Sequence, residues 1–244
     1  MYKDILNSTS HREYPLPKDS WIMMQKWENV LFVHLPVPKQ VIEAHLPSGL
    51  QLDTYGGDAW ISIIPFKVSK IRPRKMPQIP GIRSTLEVNV RTYVKRNGIS
   101  GVYFFSLDAN KLYAVLGARM MTLPYYYATM SLKKIDEIFH YYSSRRGNEP
   151  IVFKASYQPI GESIYPEKNS LTYWLLERYF LFSYRNGSMY RGAIHHKQWE
   201  IQNAKVDLKK QSLTPFLPNN AFGANPLMHY APSKVALIWM MKKL

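Results

Sequence analysis

The chain has 244 residues, of which 46% are hydrophobic and 14% aromatic, so it has ample material for a packed core and does not have a disordered composition. It contains no cysteine, which excludes disulfides, thiolate metal ligands and a cysteine nucleophile. The amino terminus lacks the apolar segment of a signal peptide, and no stretch approaches the roughly 18 apolar residues of a membrane-spanning helix. We therefore expect one cytoplasmic domain over residues 1–244, with no membrane partner.

The positive charge is spread along the chain. Lys and Arg total 32 against 17 Asp and Glu, a formal charge of +15, and residues 1–122 and 123–244 hold 16 basic residues each. The densest basic stretch, residues 67–75, is interrupted by Pro73 and predicts an exposed loop rather than a phosphate-binding patch. This distribution does not favour nucleic acid as a partner.

The first predicted elements are a short helix and a strand. Pro38 precedes a helical segment from Lys39 to Leu46, which Pro47 ends. Trp60 to Phe66 is apolar and aromatic and predicts a strand.

A β-hairpin is the clearest local signal. Residues 83–96 alternate between apolar and polar side chains, Asn97-Gly98 follows, and residues 99–107 form an apolar run, which together predict a two-residue type I′ turn. That turn would place Asn89 opposite Ser106 and Arg91 opposite Phe104. The second face of the first strand carries Glu87, Asn89, Arg91 and Tyr93, facing either water or a cavity.

The remaining elements are two helices and several strands. We predict a helix over residues 109–121 with Asp108 as its N-cap, a strand beginning at Tyr125, and a helix from Leu171 to Arg178 capped by Ser170. Further strand-like runs cover residues 180–184, 189–194, 199–206 and 235–240. Many strands with few helices predict an α+β fold that is mainly antiparallel β, as a curved sheet or a β-barrel.

Several common sites have no local support. The chain lacks a phosphate-binding glycine loop, a dinucleotide-binding turn and a G-x-S-x-G nucleophile elbow. The adjacent His195 and His196 would point to opposite faces of a strand, so a structural role is favoured over metal binding. We expect neither a metal nor a cofactor.

Glu87 and Arg91 lie four residues apart on one face of the predicted strand. They could form an ion pair, or they could frame an anionic substrate with the arginine as a bidentate clamp. The alternative is a polar sheet face exposed to water, which composition alone favours.

Two resemblances bear on this face. Residues 115–128, with Gly117, Arg119 and Leu123-Pro124-Tyr125-Tyr126, resemble the G-[GA]-R-x-x-x-x-[FL]-P-K-K-x-A stretch of acetoacetate decarboxylases, and Glu87 is similar to a glutamate that lines their pocket. Nearly the whole chain resembles the DUF2071, or YqjF-like, family of the same structural superfamily. The phrases that carry this second resemblance are residues 27–34, 87–94, 101–108, 123–125, 177–179 and 195–199. It implies an acetoacetate decarboxylase-like fold with a few short helices and a cavity for a small molecule.

The chain departs from the decarboxylases at their central residue. Their first lysine of P-K-K forms a Schiff base with the keto acid, whereas Tyr125 and Tyr126 occupy these positions here. A phenol cannot form an imine, and Lys133 and Lys134 lie too far along the chain to substitute simply. Tyrosine can instead donate a hydrogen bond to a developing oxyanion.

The resemblance thus implies roles for six residues. The catalytic candidates are Glu87 and Tyr125, and the substrate-binding candidates are Arg91, Arg119, Asn89 and Tyr126. The first hypothesis is an enzyme with lyase-like or acid–base chemistry on a small oxygenated or carboxylate ligand, without a Schiff base. The second is a small-molecule binder without catalysis; nucleic-acid binding is a third, disfavoured class, and a homo-oligomer stays open.

Overall fold

A computed structural model describes residues 2–78, 84–111, 122–147, 149–217 and 226–244. The helices within these ranges are short: α1 Tyr2–Asn7, α2 Lys39–Glu43 and α3 Leu171–Leu176. The strands are β1 Met23–Val37, β2 Gln51–Leu52, β3 Ala59–Pro73, β4 Ser84–Arg96, β5 Ile99–Ala109, β6 Tyr125–Ile135, β7 Ile138–Arg145, β8 Ile151–Ile164, β9 Phe180–Arg185, β10 Ser188–His195, β11 Ile201–Gln211, β12 Leu227–Ile238 and β13 Lys242–Lys243. None of the described helices has the length and apolar content that a membrane crossing requires.

The strands form one large, mainly antiparallel sheet. Its order is β13-β10-β9-β5-β6-β7-β8-β11-β12-β1-β3-β4-β2, and β5 runs parallel to both β6 and β9. An additional pairing of β4 with β5 joins distant positions in this order, so the strands from β5 through β12 to β4 form a closed circuit. The prediction of a mainly antiparallel fold with a few short helices is confirmed.

The predicted hairpin is β4 and β5, with one change of register. Asn97 and Gly98 both have positive φ, 48° and 76°, as a type I′ turn requires. Arg91 lies opposite Phe104 as predicted, but Asn89 lies opposite Leu107 rather than Ser106. The shift falls between Val90 and Arg91 and leaves Phe105 as an extra residue, which is a β-bulge.

Apolar clusters bury both faces of the sheet around β3 and β4. Val88 and Val90 belong to a large cluster that also contains side chains of β1, β3, β7, β8 and β12. On the opposite face, Ile64 and Phe66 pack in a second cluster with Leu176 of α3. Since α3 and its neighbours cover this second face, the polar side chains of β4 that point to it are removed from water.

Four predicted elements need correction. Asp108 is not a helix N-cap, because Asp108 and Ala109 continue β5 and pair with Val88 and Glu87; the rest of the predicted helix, residues 112–121, lies outside the described residues. The basic stretch is not a loop up to Pro73, because β3 extends there and pairs with Met23 and Met24. Helices α2 and α3 end earlier than expected, although Ser170 does cap α3 by accepting a hydrogen bond from the amide of Tyr173 at 3.2 Å.

Candidate functional site

The second face of β4 is a buried polar column. Glu87, Asn89 and Tyr93 are each at most 7% exposed, and Arg91 is half-buried. Residues directly opposite each other in a sheet share a face, so the column is flanked by Phe66, Ile64 and Ser62 of β3. Trp60 lies on the same face because side chains alternate along a strand. The alternative of a water-exposed polar face is therefore wrong.

Glu87 and Tyr125 meet inside the protein. The Tyr125 hydroxyl donates a hydrogen bond to Glu87 Oε2 at 2.9 Å, and both side chains are buried. Their strands come together because β5 lies between β4 and the start of β6, with Leu107 opposite Asn89 on one side and opposite Tyr125 on the other. The two predicted catalytic residues thus form one contact.

Burial sets the protonation of this pair. Loss of water raises the pKa of the Glu87 carboxyl to about 7, while the hydrogen bond from Tyr125 acts in the opposite direction. Burial, followed by the adjacent Glu87 charge, raises the pKa of the Tyr125 hydroxyl well above 10. Near neutral pH, both protonation states of Glu87 are therefore populated, while Tyr125 keeps its proton.

A third side chain fixes the backbone of the pair. The hydroxyl of buried Tyr141 in β7 donates to the Glu87 carbonyl oxygen at 2.6 Å. Tyr141 thereby anchors β4 at the position of Glu87. The sequence gives no local signal for this contact, because 54 residues separate the two positions.

A pocket opens beside Tyr125. It has a volume of about 370 Å³, within the range of small-molecule sites. It is lined by Tyr103, Phe104, Phe105, Thr122, Leu123, Pro124, Tyr125, Tyr126, Ser183, Tyr184 and Arg185. Two lining residues are neighbours of the polar column, since Phe104 lies opposite Arg91 across the strands and Tyr125 bonds to Glu87.

Arg91 and Glu87 do not pair with each other. Arg91 Nη2 donates to the Leu175 carbonyl of α3 at 3.2 Å, and the guanidinium lies 5.8 Å from the centre of the Tyr93 ring. Arg91 Nε and Asn89 Oδ1 are buried and have no hydrogen-bond partner within the part of the chain that the structure describes. Asn89 and Arg91 lie on the same face as Glu87, two and four residues further along β4.

Tyr126 and Arg119 differ from the other candidates. Tyr126 lines the pocket and is 40% exposed, with the Arg145 guanidinium 4.1 Å from its ring centre. It pairs with Asp108 on the opposite face of the sheet from Glu87, so the two tyrosines are directed apart. Arg119 lies outside the described residues.

A buried hydroxyl–imidazole chain was missed at the sequence level. Ser62 Oγ lies 2.6 Å from His34 Nδ1 and 2.5 Å from Tyr93 Oη, and all three residues are 0% exposed. The His229 ring lies 5.8 Å from that of His34. These residues come from four strands. In the sequence, only His34 and Tyr93 lie in segments that carry the family resemblance, residues 27–34 and 87–94.

His195 and His196 are held by backbone contacts. His195 Nε2 lies 2.7 Å from the Ile5 carbonyl oxygen, and His196 Nδ1 lies 2.8 Å from that of Lys197. These contacts support the structural role predicted for both. Among the described residues, no three His, Cys, Asp or Glu side chains are grouped so that they could hold a metal ion.

Comparisons with known proteins place the chain in a family. The DUF2071 family model, described as an uncharacterized conserved protein, matches residues 24–234. The chain belongs to the DUF2071 family. The protein YqjF of Bacillus subtilis (strain 168) is 43% identical to this DUF2071 chain over 229 residues, which are 93% of the chain and 95% of YqjF.

Solved structures show the fold of this DUF2071 protein. An acetoacetate decarboxylase-like enzyme from Sphingomonas wittichii RW1 aligns with a TM-score of 0.62 and 11% identity, covering 96% of the chain and 98% of that structure. The enduracididine biosynthesis enzyme MppR complexed with pyruvate aligns with a TM-score of 0.60 and 10% identity, covering 95% and 93%. The acetoacetate decarboxylase-like fold is thus established for this chain.

Proposed function

We propose that this DUF2071 protein binds a small oxygenated carboxylate beside Tyr125 and moves a proton on the carbon next to its carbonyl group. The observation that carries the proposal is the buried hydrogen bond of 2.9 Å between Tyr125 Oη and Glu87 Oε2, beside a pocket of small-molecule size. MppR, which shares the fold, is complexed with pyruvate, and this supports 2-oxo acids as the first compounds to test.

The chemistry follows from the two protonation states. Glu87 loses its proton near neutral pH, so its carboxylate can accept a proton from carbon and later return it. Tyr125 stays protonated and is a hydrogen-bond donor. In the proposed step the Tyr125 hydroxyl donates to the carbonyl oxygen of the ligand, where negative charge develops as Glu87 removes the proton.

A Schiff base is not part of this proposal. The position of the decarboxylase lysine holds a phenol, and Lys133 lies eight residues further along β6, about 27 Å away in extended strand, with an exposed side chain. Lys234 deserves a direct test, because it is buried and its pKa is lowered to about 8, first by burial. Its Nζ donates to the Gln198 carbonyl at 2.6 Å and lies 5.1 Å from the Trp199 ring centre.

Deuterium exchange of pyruvate methyl protons tests the proposal. In D₂O at pD near 7, the protein should accelerate exchange as followed by proton NMR, because exchange reports removal of a proton next to a carbonyl. Glu87→Gln should abolish this acceleration, and Tyr125→Phe should reduce it by about 100-fold, a loss typical of one oxyanion donor. The same substitutions at exposed positions, Glu137→Gln and Tyr165→Phe, are the matched controls. Each should retain the acceleration of exchange.

Borohydride reduction in the presence of pyruvate tests the absence of a Schiff base. We expect no covalent adduct by mass spectrometry. An adduct on any lysine, Lys234 included, would contradict the proposed chemistry. Saturable binding of pyruvate, acetoacetate and related oxo acids without exchange would instead indicate a binder without catalysis.

A further inference from the structure

Unpartnered polar atoms gather at one end of the buried column. Among the described residues, His34 Nε2, His229 Nδ1, Asn89 Oδ1 and Arg91 Nε have no hydrogen-bond partner, although His34, His229 and Asn89 are more than nine-tenths buried. A buried polar group without a partner costs roughly 1–3 kcal/mol, so a cluster of them is unusual in a protein core. Such a cluster is expected where a polar ligand completes the hydrogen bonds.

The strands place the residues that carry these atoms on one face of the sheet. Arg91 lies opposite Ser62, and Ser62 lies opposite His34, so three neighbouring strands present them on one face. His229 lies opposite Phe32, two residues before His34, and the two imidazole rings are 5.8 Å apart. The cluster is therefore local and belongs to the face that carries Glu87.

The hydroxyl chain determines which nitrogen of His34 carries the proton. If Tyr93 donates to Ser62 Oγ and Ser62 donates to His34 Nδ1, both hydroxyl protons are used, and Nε2 bears the hydrogen. In the reverse direction the Tyr93 proton would have no acceptor among its hydrogen-bond contacts. His34 therefore presents an Nε2–H donor on the face that also carries the Nε–H donor of Arg91.

The charge of the cluster favours an anion. Burial, then His229 and the Arg91 charge, hold the pKa of His34 well below 6.5, so its imidazole is neutral. Arg91 carries a permanent positive charge on this part of the face and disfavours a metal cation beside it, while the nearby Arg178 is paired with Asp53. Two N–H donors, one of them on a guanidinium, match the oxygens of a carboxylate.

We infer that Arg91 and His34 bind the carboxylate group of the ligand, with Ser62 and Tyr93 as positioning residues that fix His34 as a donor. This inference rests on the proposed function for the site and for the carboxylate ligand, and it adds the residues that recognise the carboxylate group. It assigns roles to His34, Ser62 and Tyr93 that the Glu87–Tyr125 pair does not require.

Acetate is the probe, because it carries the carboxylate alone. Protein with ¹⁵N-labelled histidine is titrated with acetate at constant ionic strength, and in parallel with acetamide, its neutral isostere. Acetate should shift the His34 Nε2 signal saturably, acetamide should not, and the free protein should show the Nε2–H form of His34. The His140 signal serves as the internal control, since His140 Nδ1 makes a similar 2.9 Å contact with Ser156 Oγ away from the column.

Variants separate recognition from general damage. Arg91→Gln should weaken acetate binding by at least about tenfold, the effect of a charged hydrogen bond, whereas Arg146→Gln at an exposed position should not. Ser62→Ala should weaken it by about tenfold and give a mixture of His34 tautomers, whereas Ser156→Ala should change neither. If Arg91→Gln does not fold, Arg91→Lys keeps the charge without the Nε–H donor and should still weaken binding.

The outcomes distinguish this inference from the proposed function. Equal responses to acetate and acetamide, or an acetate titration that leaves His34 unmoved, would overturn the inference and leave the cluster to buried water. Glu87→Gln should lose exchange of pyruvate but keep a saturable response of the His34 signal to acetate. Acetate binding at His34 without any exchange in the unaltered protein would contradict the proposed function alone.

Discussion

Glu87 is a carboxyl whose proton affinity is set by two opposing effects of its surroundings. Burial raises its pKa to about 7, and the hydrogen bond from Tyr125 limits that rise because it stabilises the ionised form. Tyr125→Phe should therefore raise the pKa of Glu87 above 7. A ¹³C NMR titration of the glutamate side-chain carboxyls, with Glu87→Gln to assign the signal, measures this directly, and a lower pKa in Tyr125→Phe would contradict the direction of the hydrogen bond.

Asp108 and Arg145 form a buried ion pair on the other face of the sheet. Arg145 Nη2 lies 2.6 Å from Asp108 Oδ1, and Asp108 is fully buried with its pKa raised to about 6, first by burial. Arg145→Met should destabilise the protein by about 3–5 kcal/mol, because it leaves a buried charge without its partner. The loss should grow as pH rises through 6, since Asp108 then ionises.

Urea denaturation at pH 5 and pH 8 checks this expectation. Lys209→Met is the matched control, because its pair with Asp207 is exposed and should be worth less than about 1 kcal/mol. Adding Asp108→Asn to Arg145→Met should recover part of the stability at pH 8. If Arg145→Met and Lys209→Met reduce the free energy of unfolding equally, burial of the Asp108–Arg145 pair does not add to its contribution.

The sequence reveals some of these residues and not others. Alternation along β4 places Glu87, Asn89 and Arg91 on one face without any structure, because the period of a strand is two. The contact between Glu87 and Tyr125 followed only from the family resemblance. The chain His34–Ser62–Tyr93 depends on the register of β1, β3 and β4, which pair across loops that no local pattern specifies.

At the scale of elements, the turn at Asn97-Gly98 predicts the hairpin but not its irregularity. The bulge at Phe105 shifts the register by one residue beyond Arg91, so that Asn89 and Tyr125 share the neighbour Leu107. The preference of Asp for N-caps predicts a helix that begins after Asp108, but Asp108 pairs with Val88 and Tyr126 in the sheet and bonds to Arg145 of β7. The tertiary contacts of this residue thus differ from its local preference.

Gly101 allows β5 and β9 to pack closely. A Cβ at this position would lie 2.7 Å from the Phe180 carbonyl oxygen and 2.8 Å from the Phe182 ring. Gly101→Ala should therefore destabilise the protein by about 1–3 kcal/mol, the usual cost of overpacking. Thermal unfolding beside the exposed variant Ser131→Ala measures this, and an unchanged midpoint would mean that β9 can move away freely.

For the molecule as a whole, buried histidines and buried carboxyls have opposite effects on how the free energy of unfolding depends on pH. Within the described residues, burial lowers the pKa of five histidines, with His195 and His229 reaching about 4, and raises those of Glu87, Asp108 and Glu177 to about 7, 6 and 6. The lowered pKa values of the histidines reduce the free energy of unfolding as pH falls from 6.5 towards 4, because the unfolded chain binds more protons there than the folded chain does. The raised pKa values of the three carboxyls increase the free energy of unfolding over nearly the same pH range, because these groups bind protons in the folded chain before they do so in the unfolded chain.

Five histidines act against three carboxyls, so we expect the free energy of unfolding to fall between pH 7 and pH 5. Glu87→Gln removes one opposing carboxyl and should make the fall larger. Urea denaturation of both proteins at the two pH values checks the prediction. A smaller fall in the variant would contradict the sign assigned to Glu87.

The net charge of +15 is also a property of the whole molecule. The sequence showed that it is evenly divided, which weakened an acidic polymer as partner, and the structure directs interest to single cations at buried positions. Arg91 and Arg145 each lie in a polar group of the sheet, whereas Lys133 is exposed. The remaining surplus can attract a small anion toward the pocket.

The titration of Glu87 with and without pyruvate tests the central claim most directly. In protein labelled with ¹³C at the glutamate carboxyls, the signal that Glu87→Gln removes should titrate with a pKa near 7, and saturating pyruvate should shift that pKa as Tyr125 turns its hydrogen bond to the ligand. A Glu87 signal that titrates near 4.5 and does not respond to pyruvate would contradict the account.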